Sequence, residues 1–570
     1  MTQAMTRMLD VEIRRGDAAL ELIGRTDFRR AWRYLHQACP WSTAFQDAPF
    51  ADTWYRVYRE RFAPVVVIGF ADAKLCGLLL LAESRDGALC HVGAQQAEYQ
   101  VWLAIDERFA GAVLDLLAAE FPGRRLQLLF VPPGVPFTPP DRWRSRCFRR
   151  PFSAPFLATR PADSVRESMR KKANRSKLNR LTRGGKLTFE RVDDGPAFAV
   201  LLDQIAPLYD LRQGAAHGAL PFREDPLKTA FYRALQRETD LLHVTAMRVD
   251  DELVAAHVGI RSRNTVLVGM PAHSPRYTRH SVGKLLFYEL ALLLEQEGVD
   301  ALDLTPGGEY KDRFATHFAE ASVLTVIFSR AGAWRHRQQR RLIDAGKRRG
   351  VSTDALKQAI RAVRHKVAHL GPTSPLQAAR RVGRALWDDV ELRIYRFPRG
   401  APVTHPITVP IARDRLEDLA CYAPAEGWQP TADAFLRAAS ERLENGEHCY
   451  TRVEEGVLAH CGWLVDHRER ASLDERHQPW TLPPGATVAY GFYTHPRFRG
   501  RGMYASALAR MIRDAGATPG LGEIYIGVRA DNKPSRRVIE MLGFVYEGSL
   551  HERRRFRSVR RWSTSAGSGD

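Results

Sequence analysis

The stretch that most constrains this chain runs from Thr487 to Met511, where the strand-like TVAYGFYTHP meets Arg497-Phe498-Arg499-Gly500-Arg501-Gly502 and then the helix-like MYASALARMI. Val488, Tyr490 and Phe492 alternate with Ala489, Gly491 and Tyr493, the period of a strand, and Pro496 closes it. Met503, Ala507, Leu508, Met511 and Ile512 recur at helical spacing, so a helix is predicted to begin near Gly500 with its first N–H groups unpaired. Such a junction suits an anion. Gly500 and Gly502 let a ligand approach the backbone closely, and the positive end of the helix dipole adds to Arg497, Arg499 and Arg501.

An R-x-x-G-x-G hexamer arises by chance in an Arg-rich chain, and it is the downstream order that gives this one weight. EIYIGVRADN supplies a second strand over Glu523 to Arg529, Asn532-Lys533-Pro534-Ser535 starts a short helix to Leu542, and Gly543-Phe544 opens a further strand. In this order and spacing the region from Trp387 to Trp562 resembles the GNAT N-acetyltransferase superfamily, whose acetyl-coenzyme A motif is followed by Asn-x-x-Ala/Ser and Gly-Phe. The resemblance implies that the backbone of Arg499 to Gly502 cradles the pyrophosphate of acetyl-CoA. It also implies that strands Tyr490–Thr494 and Ile524–Arg529 splay to admit the pantetheine arm, which Asn532 faces, and it places Arg497, Arg501 and Ser535 among the coenzyme-binding residues. Many members carry a Tyr before Gly-Phe that protonates the departing thiolate, but Ile539 stands there in this chain. Tyr493 and His495 on the central strand are the catalytic candidates in its place, with Tyr490 beside them. A Tyr or His beside a strand is more commonly a packing or hydrogen-bonding residue.

At 570 residues the chain has room for about three to four domains. Its formal net charge of +20 fits nucleic acid, an anionic lipid surface, an acidic polymer or an Arg-rich background. Seven scattered cysteines without a C-x-x-C pair, and histidines without H-E-x-x-H, point to no metal chemistry. APVVVIGFADAKLCGLLLLA carries Asp72 and Lys74 at its middle and reads as two strands about a turn, so no transmembrane segment is predicted. The N-terminus has no apolar signal core, and a cytoplasmic location is expected.

Helix and strand patterns alternate through residues 1–140, which end in the Pro-rich PPGVPFTPP, and again through 141–330; a basic, partly helical linker is predicted at 331–386, and a disordered tail at 563–570. The first two segments resemble the CelD-like acetyltransferases associated with cellulose and exopolysaccharide synthesis, which are similar in turn to Fem-type peptidyltransferases. The residues that carry this are Met169-Arg170-Lys171-Lys172, Tyr277-x-x-x-Ser281-Val282-Gly283-Lys284-Leu285-Leu286 and Gly308-Glu309-Tyr310-Lys311-x-Arg313-Phe314. The fold class implied is α/β (α+β), three GNAT-like lobes of mixed, mainly antiparallel sheet flanked by helices, with the C-terminal lobe at 387–562. By the same resemblance Lys311 is a catalytic candidate that stabilises charge on the acceptor or transition state. The function implied is transfer of acetyl from acetyl-CoA to an amine or hydroxyl of a small-molecule or polymer acceptor, of cell-envelope or exopolysaccharide type and anionic in keeping with the basic chain. Two alternatives stand beside it: a Fem-like peptidyltransferase drawing on charged tRNA, in which the basic helix from Arg166 to Lys186 contacts the tRNA, and a non-catalytic scaffold fused to one active GNAT domain.

Overall fold

A computed structural model describes residues 9–348, 387–402, 405–427, 429–466, 470–472, 479–518, 521–555 and 558–565. The chain divides into unit 1, residues 1–206 with 225–355, and unit 2, residues 207–224 with 356–570. Both are mixed α/β, with sheets flanked by helices.

Unit 1 is built on β1 (Leu9–Arg15), β2 (Phe62–Ala71), β3 (Lys74–Ser84), β4 (Leu89–His91), β5 (Leu103–Ala104), β6 (Arg125–Val131) and β7 (Cys147–Ala158), followed by β8 (Leu187–Arg191), β9 (Leu242–Val249), β10 (Glu252–Ser262), β11 (Thr265–His273), β12 (Ala301–Asp303) and β13 (His317–Ile327). Among the described residues these form one sheet in the order β1-β2-β3-β4-β6-β13-β7-β12-β11-β10-β9-β8, with β5 against β3. The segments 1–140 and 141–330 therefore share a sheet, because β13 pairs antiparallel with β6 on one side and β7 on the other. Val65 to Ile68 and Leu78 to Leu81 are buried residue after residue, as a sheet covered on both faces requires. Gly69 and Gly77 face each other across β2 and β3, where a Cβ would lie 2.6 or 2.3 Å from Cδ2 of Phe109. These two glycines seat helix α1 (Arg108–Glu120) through its fully buried Phe109.

The basic segment expected as one helix is two, α2 (Asp163–Arg170) and α3 (Lys172–Gly184), because Lys171 takes φ −59°, ψ 132° between them. The expected linker begins as the helix Arg330–Arg348, and its remainder, 349–386, lies outside the described residues.

Unit 2 has β14 (Trp387–Phe397), β15 (Ala412–Arg413), β16 (His448–Glu454), β17 (Val457–Val465), β18 (Arg470–Ser472) and β19 (Pro479–Thr481), then β20 (Thr487–Thr494), β21 (Ile524–Arg529), β22 (Val545–Arg555) and β23 (Ser558–Ser565). The main sheet runs β15-β16-β17-β20-β21-β14-β22-β23, and β18 pairs with β19 apart from it. Contrary to the disorder expected at 563–570, Ser563, Thr564 and Ser565 continue β23, since β22 offers them a pairing edge at Leu550, Ser549 and Gly548; residues 566–570 lie outside the described residues.

A parallel strand pair joined by a long helix recurs in both units. In unit 1, α4 (Val282–Gln296) joins β11 to β12; in unit 2, α5 (Met503–Ala517) joins β20 to β21, and α6 (Lys533–Met541) follows. The apolar stripe of α5, including Leu508, Met511 and Ile512, packs on Ile524 and Ile526 of β21 and on Ile539 of α6. Among the described residues no helix is long and apolar enough to cross a membrane.

Candidate functional site

The β20/β21 register is short, running from Thr487↔Ile524 to Ala489↔Ile526. Beyond it the pairing ends, which leaves a gap in the ladder between Tyr490–Thr494 and the end of β21. A bulge shapes the gap: β17 pairs Trp463 with Tyr490 but Cys461 with Tyr493, so β20 carries one residue more than its neighbour. Gly491 sits in this bulge at φ +64°, where a Cβ would meet Arg442 Nη1 at 3.0 Å and Trp463 Cδ1 at 3.2 Å.

Gly500 (φ +79°) and Gly502 (φ +75°) both lie in the left-handed region, and no heavy atom comes within 4 Å of a Cβ at Gly500, so the turn rather than crowding calls for glycine there. Ser506 N–H donates to the Gly502 carbonyl at 3.0 Å, closing the first turn of α5. The amides ahead of it project from the positive end of a fifteen-residue helix, a geometry that favours an anion. The arginines are engaged around this turn. Arg497 donates to Glu455 at 2.7 Å, Arg499 to Glu426 at 2.8 Å, and the Arg501 guanidinium stands 5.0 Å over the Phe498 ring. Both ion pairs are solvent-exposed, where such contacts contribute little.

Tyr493 is half-buried with its ring edge-on to Tyr422, 5.3 Å between centroids, and its hydroxyl is sealed from solvent without a hydrogen-bond partner. Burial first, and then the Glu426 carboxylate, push its pKa up to about 12. His495 is buried, and its Nδ1 accepts the Arg497 N–H at 3.3 Å. Burial, with Arg497 and Arg499 adding to it, lowers the His495 pKa, so the ring is neutral. Asn532 Oδ1 accepts the Ser535 N–H at 3.3 Å and so caps α6, while the Ser535 hydroxyl donates to the Tyr504 hydroxyl at 3.0 Å. Ile539 is fully buried in the core.

Three further side chains stand around this part of β20. Tyr504, the second residue of α5, ties α5 to α6 through Ser535 and meets Phe492 edge-on at 4.8 Å; its place directly after the glycine turn was the available signal. His460, fully buried in β17, holds Thr494 Oγ1 at 2.9 Å with Nδ1 and has no partner on Nε2; burial takes its pKa down to about 3. Glu447, also buried, accepts the Tyr490 hydroxyl. Neither His460 nor Glu447 stands in a pattern that marks it.

Lys311 belongs to a different place, in unit 1. It is buried, and its ammonium donates to Thr305 at 3.2 Å to the carbonyl and 2.9 Å to Oγ1. Thr305 N–H in turn donates to Asp303 Oδ1 at 2.8 Å, at the last residue of β12. Thr305 has φ +61°, a strained conformation for a β-branched residue, and Gly307 and Gly308 follow at φ +87° each. Burial raises the Asp303 carboxyl to about 6, against the pull of the Thr305 N–H and Lys311. Glu98, absent from the sequence reading, faces the same cluster. Its Oε2 is sealed and unpartnered, and burial pushes its pKa to about 7 against the attraction of Lys311 and Lys228, with Asp303 adding to the rise. The structure thus separates the candidates: the residues expected to bind the coenzyme lie in unit 2 with Tyr493 and His495, and Lys311 lies among buried charges in unit 1. Among the described residues no group of three or more His, Cys, Asp or Glu converges to hold a metal ion.

Family models described as acetyltransferase (GNAT) domains match twice, over residues 168–314 and 420–545. The chain carries two GNAT domains. The second contains the glycine turn and gap of unit 2, and the first contains α3, the β9 to β12 strands and the Lys311 loop of unit 1. No curated protein sequence matches the chain. Among solved structures, FemX is similar at 10% identity over 52% of this chain and 95% of its own, with a TM-score of 0.34. The L-PGS of Bacillus licheniformis is similar at 12% identity over 52% and 97%, with a TM-score of 0.32. A tandem GNAT protein from the clavulanic acid biosynthesis pathway is similar at 13% identity over 68% and 100%, with a TM-score of 0.22.

Proposed function

We propose that the GNAT domain of unit 2 transfers the acetyl group of acetyl-coenzyme A to an amine or hydroxyl of a cell-envelope or exopolysaccharide-related acceptor. Two GNAT matches support acyl transfer in general. The observation that carries the donor is the conjunction of the Gly500/Gly502 turn at the α5 N-terminus with the gap that opens beyond Ala489 and Ile526. A pyrophosphate has amides and a helix dipole to bind, and Arg497 and Arg499 need only leave exposed carboxylates to reach it. An extended arm has a slot between two strands, with Asn532 and Ser535 at its side.

In the reaction the acceptor nitrogen or oxygen attacks the thioester carbonyl carbon. A C–N or C–O bond forms, the C–S bond breaks, the acceptor loses a proton and the coenzyme thiolate gains one. The Tyr493 hydroxyl, unpartnered and held protonated by its raised pKa, is the candidate donor to the thiolate; neutral His495 is the candidate base. The acceptor class rests on the CelD-like resemblance and on the charge of the chain.

The test is incubation of the full chain with radiolabelled acetyl-CoA and a panel of amino sugars, hydroxyl-bearing oligosaccharides and peptides. Label appearing on an acceptor nitrogen or oxygen is the expected result. Failure of acetyl-CoA to raise the melting temperature, together with no labelled acceptor, would overturn the reading.

A further inference from the structure

We propose that the outer face of α3 in unit 1 binds the phosphate backbone of a double-helical nucleic acid. From Arg170 to Lys186 the chain has eight Lys and Arg and no Asp or Glu. Folding sorts these charges. Asn174 and Leu181 are buried, and Leu178 packs with Met247, Val249 and Leu285, which fixes the inner face of the helix. Lys177 also turns inward, donating to Ser281 Oγ at 2.7 Å. Five of the remaining seven cations, Arg170, Lys172, Arg175, Arg180 and Arg183, line a cavity of about 560 Å³.

Elsewhere in unit 1 many arginines have carboxylate partners, as in Arg15 with Glu83, Arg61 with Asp225 and Arg261 with Glu297. These five side chains form no ion pair among the described residues. Like charges one helical turn apart repel, so the arrangement is unfavourable until an anion arrives. Four of the five are guanidinium groups, whose forked donors suit phosphate oxygens.

The surroundings narrow the class of anion. The cavity is concave, and the apolar side chains of α3 are in the core, which leaves none to enter a bilayer as a surface-lying helix requires. No aromatic ring lines it, so there is no platform on which single-stranded bases could stack. A cationic groove without stacking or insertion groups fits a regular phosphate backbone, read by charge and spacing rather than by sequence. This inference does not depend on acetyl transfer by unit 2.

The test is fluorescence anisotropy of labelled random-sequence RNA and DNA duplexes with the full chain, titrated across salt concentrations. If all five cations meet phosphates, log K falls with log salt at a slope of about −4.5, a loss of about 500-fold for a fourfold rise in salt. The double variant Arg175→Glu/Arg180→Glu should weaken duplex binding more than tenfold at physiological salt and flatten the slope by about 2, with an unchanged melting temperature because both side chains are exposed. Arg30→Glu/Arg33→Glu, exposed in the same unit with the same loss of charge, should change binding far less. Equal weakening in the two variants would overturn the proposal. So would tighter binding of a single strand than of the duplex, or binding of phosphatidylglycerol vesicles but not of duplex that the α3 variant abolishes.

Discussion

The β11–α4–β12 element of unit 1 and the β20–α5–β21 element of unit 2 each make three parallel pairings, reach a glycine of positive φ two residues past the last of them, and start a fifteen-residue helix after a left-handed residue. Their contents differ. In unit 2 the residue before the helix is Gly502, Gly500 stands two before it, and the mouth of the gap carries aromatic rings and unpartnered polar atoms. In unit 1 the corresponding place is Ser281 at φ +55°, Arg279 stands two before it, and the last paired residue of β12 is Asp303, tied through Thr305 to the buried Lys311. A shared backbone frame therefore does not fix the chemistry. Whether the amides at the helix start stay accessible, and whether charge fills the gap, is set by a handful of side chains.

Substitutions that separate packing from charge sharpen this contrast. Ile539→Ala should cost unit 2 about 3 kcal/mol of stability, because a fully buried β-branched side chain leaves a cavity beside α5, while turnover per folded molecule stays unchanged. A fall in turnover without a fall in urea midpoint would mean that this position takes part in the chemistry. Lys311→Met should lower turnover about a hundredfold if the unit 1 cluster stabilises a developing negative charge, and should leave acetyl-CoA binding unchanged. Full turnover in that variant would make unit 1 a scaffold. Gly491→Ala should cost about 1 kcal/mol from the left-handed backbone and crowd Arg442 and Trp463, visible as a lower melting temperature. No change there would mean that the bulge relaxes freely.

The unit 1 cluster also predicts an effect of pH. Glu98 at about 7 and Asp303 at about 6 lie above the ordinary 4.5 and 3.8, so the folded chain holds protons that the unfolded chain has released. Their protonated forms favour folding, and their contribution to stability falls as pH rises from about 4 through 7, then levels off. Urea midpoints of Glu98→Gln across that range should show a shallower decline than those of the parent chain. Parallel curves would show that Glu98 does not titrate there.

The unit 2 element was legible in the sequence because its signals are local: alternation through Thr487–Thr494, a glycine turn, helical spacing from Met503, and Asn532 capping α6. Strand β7 was not, since Arg149, Arg150, Pro151 and Pro155 interrupt any period of two, and its pairing with β13 supplies the order that its own pattern lacks. The Glu98 cluster was out of reach for a related reason. Glu98 sits between β4 and β5 and meets Asp303 and Lys311 only after the sheet has closed across some two hundred residues. Lys311 came into view through a resemblance, and its buried contact with Thr305 was not readable from spacing.

The central claim, that the acetyl-CoA site lies at the glycine turn of unit 2, is tested most directly by calorimetric titration of acetyl-CoA into the full chain and into Gly502→Glu. The parent should bind one acetyl-CoA per chain, and the variant none, because its carboxylate would stand at the left-handed start of α5 where the pyrophosphate belongs. Undiminished binding of one acetyl-CoA by a folded Gly502→Glu chain would contradict the account.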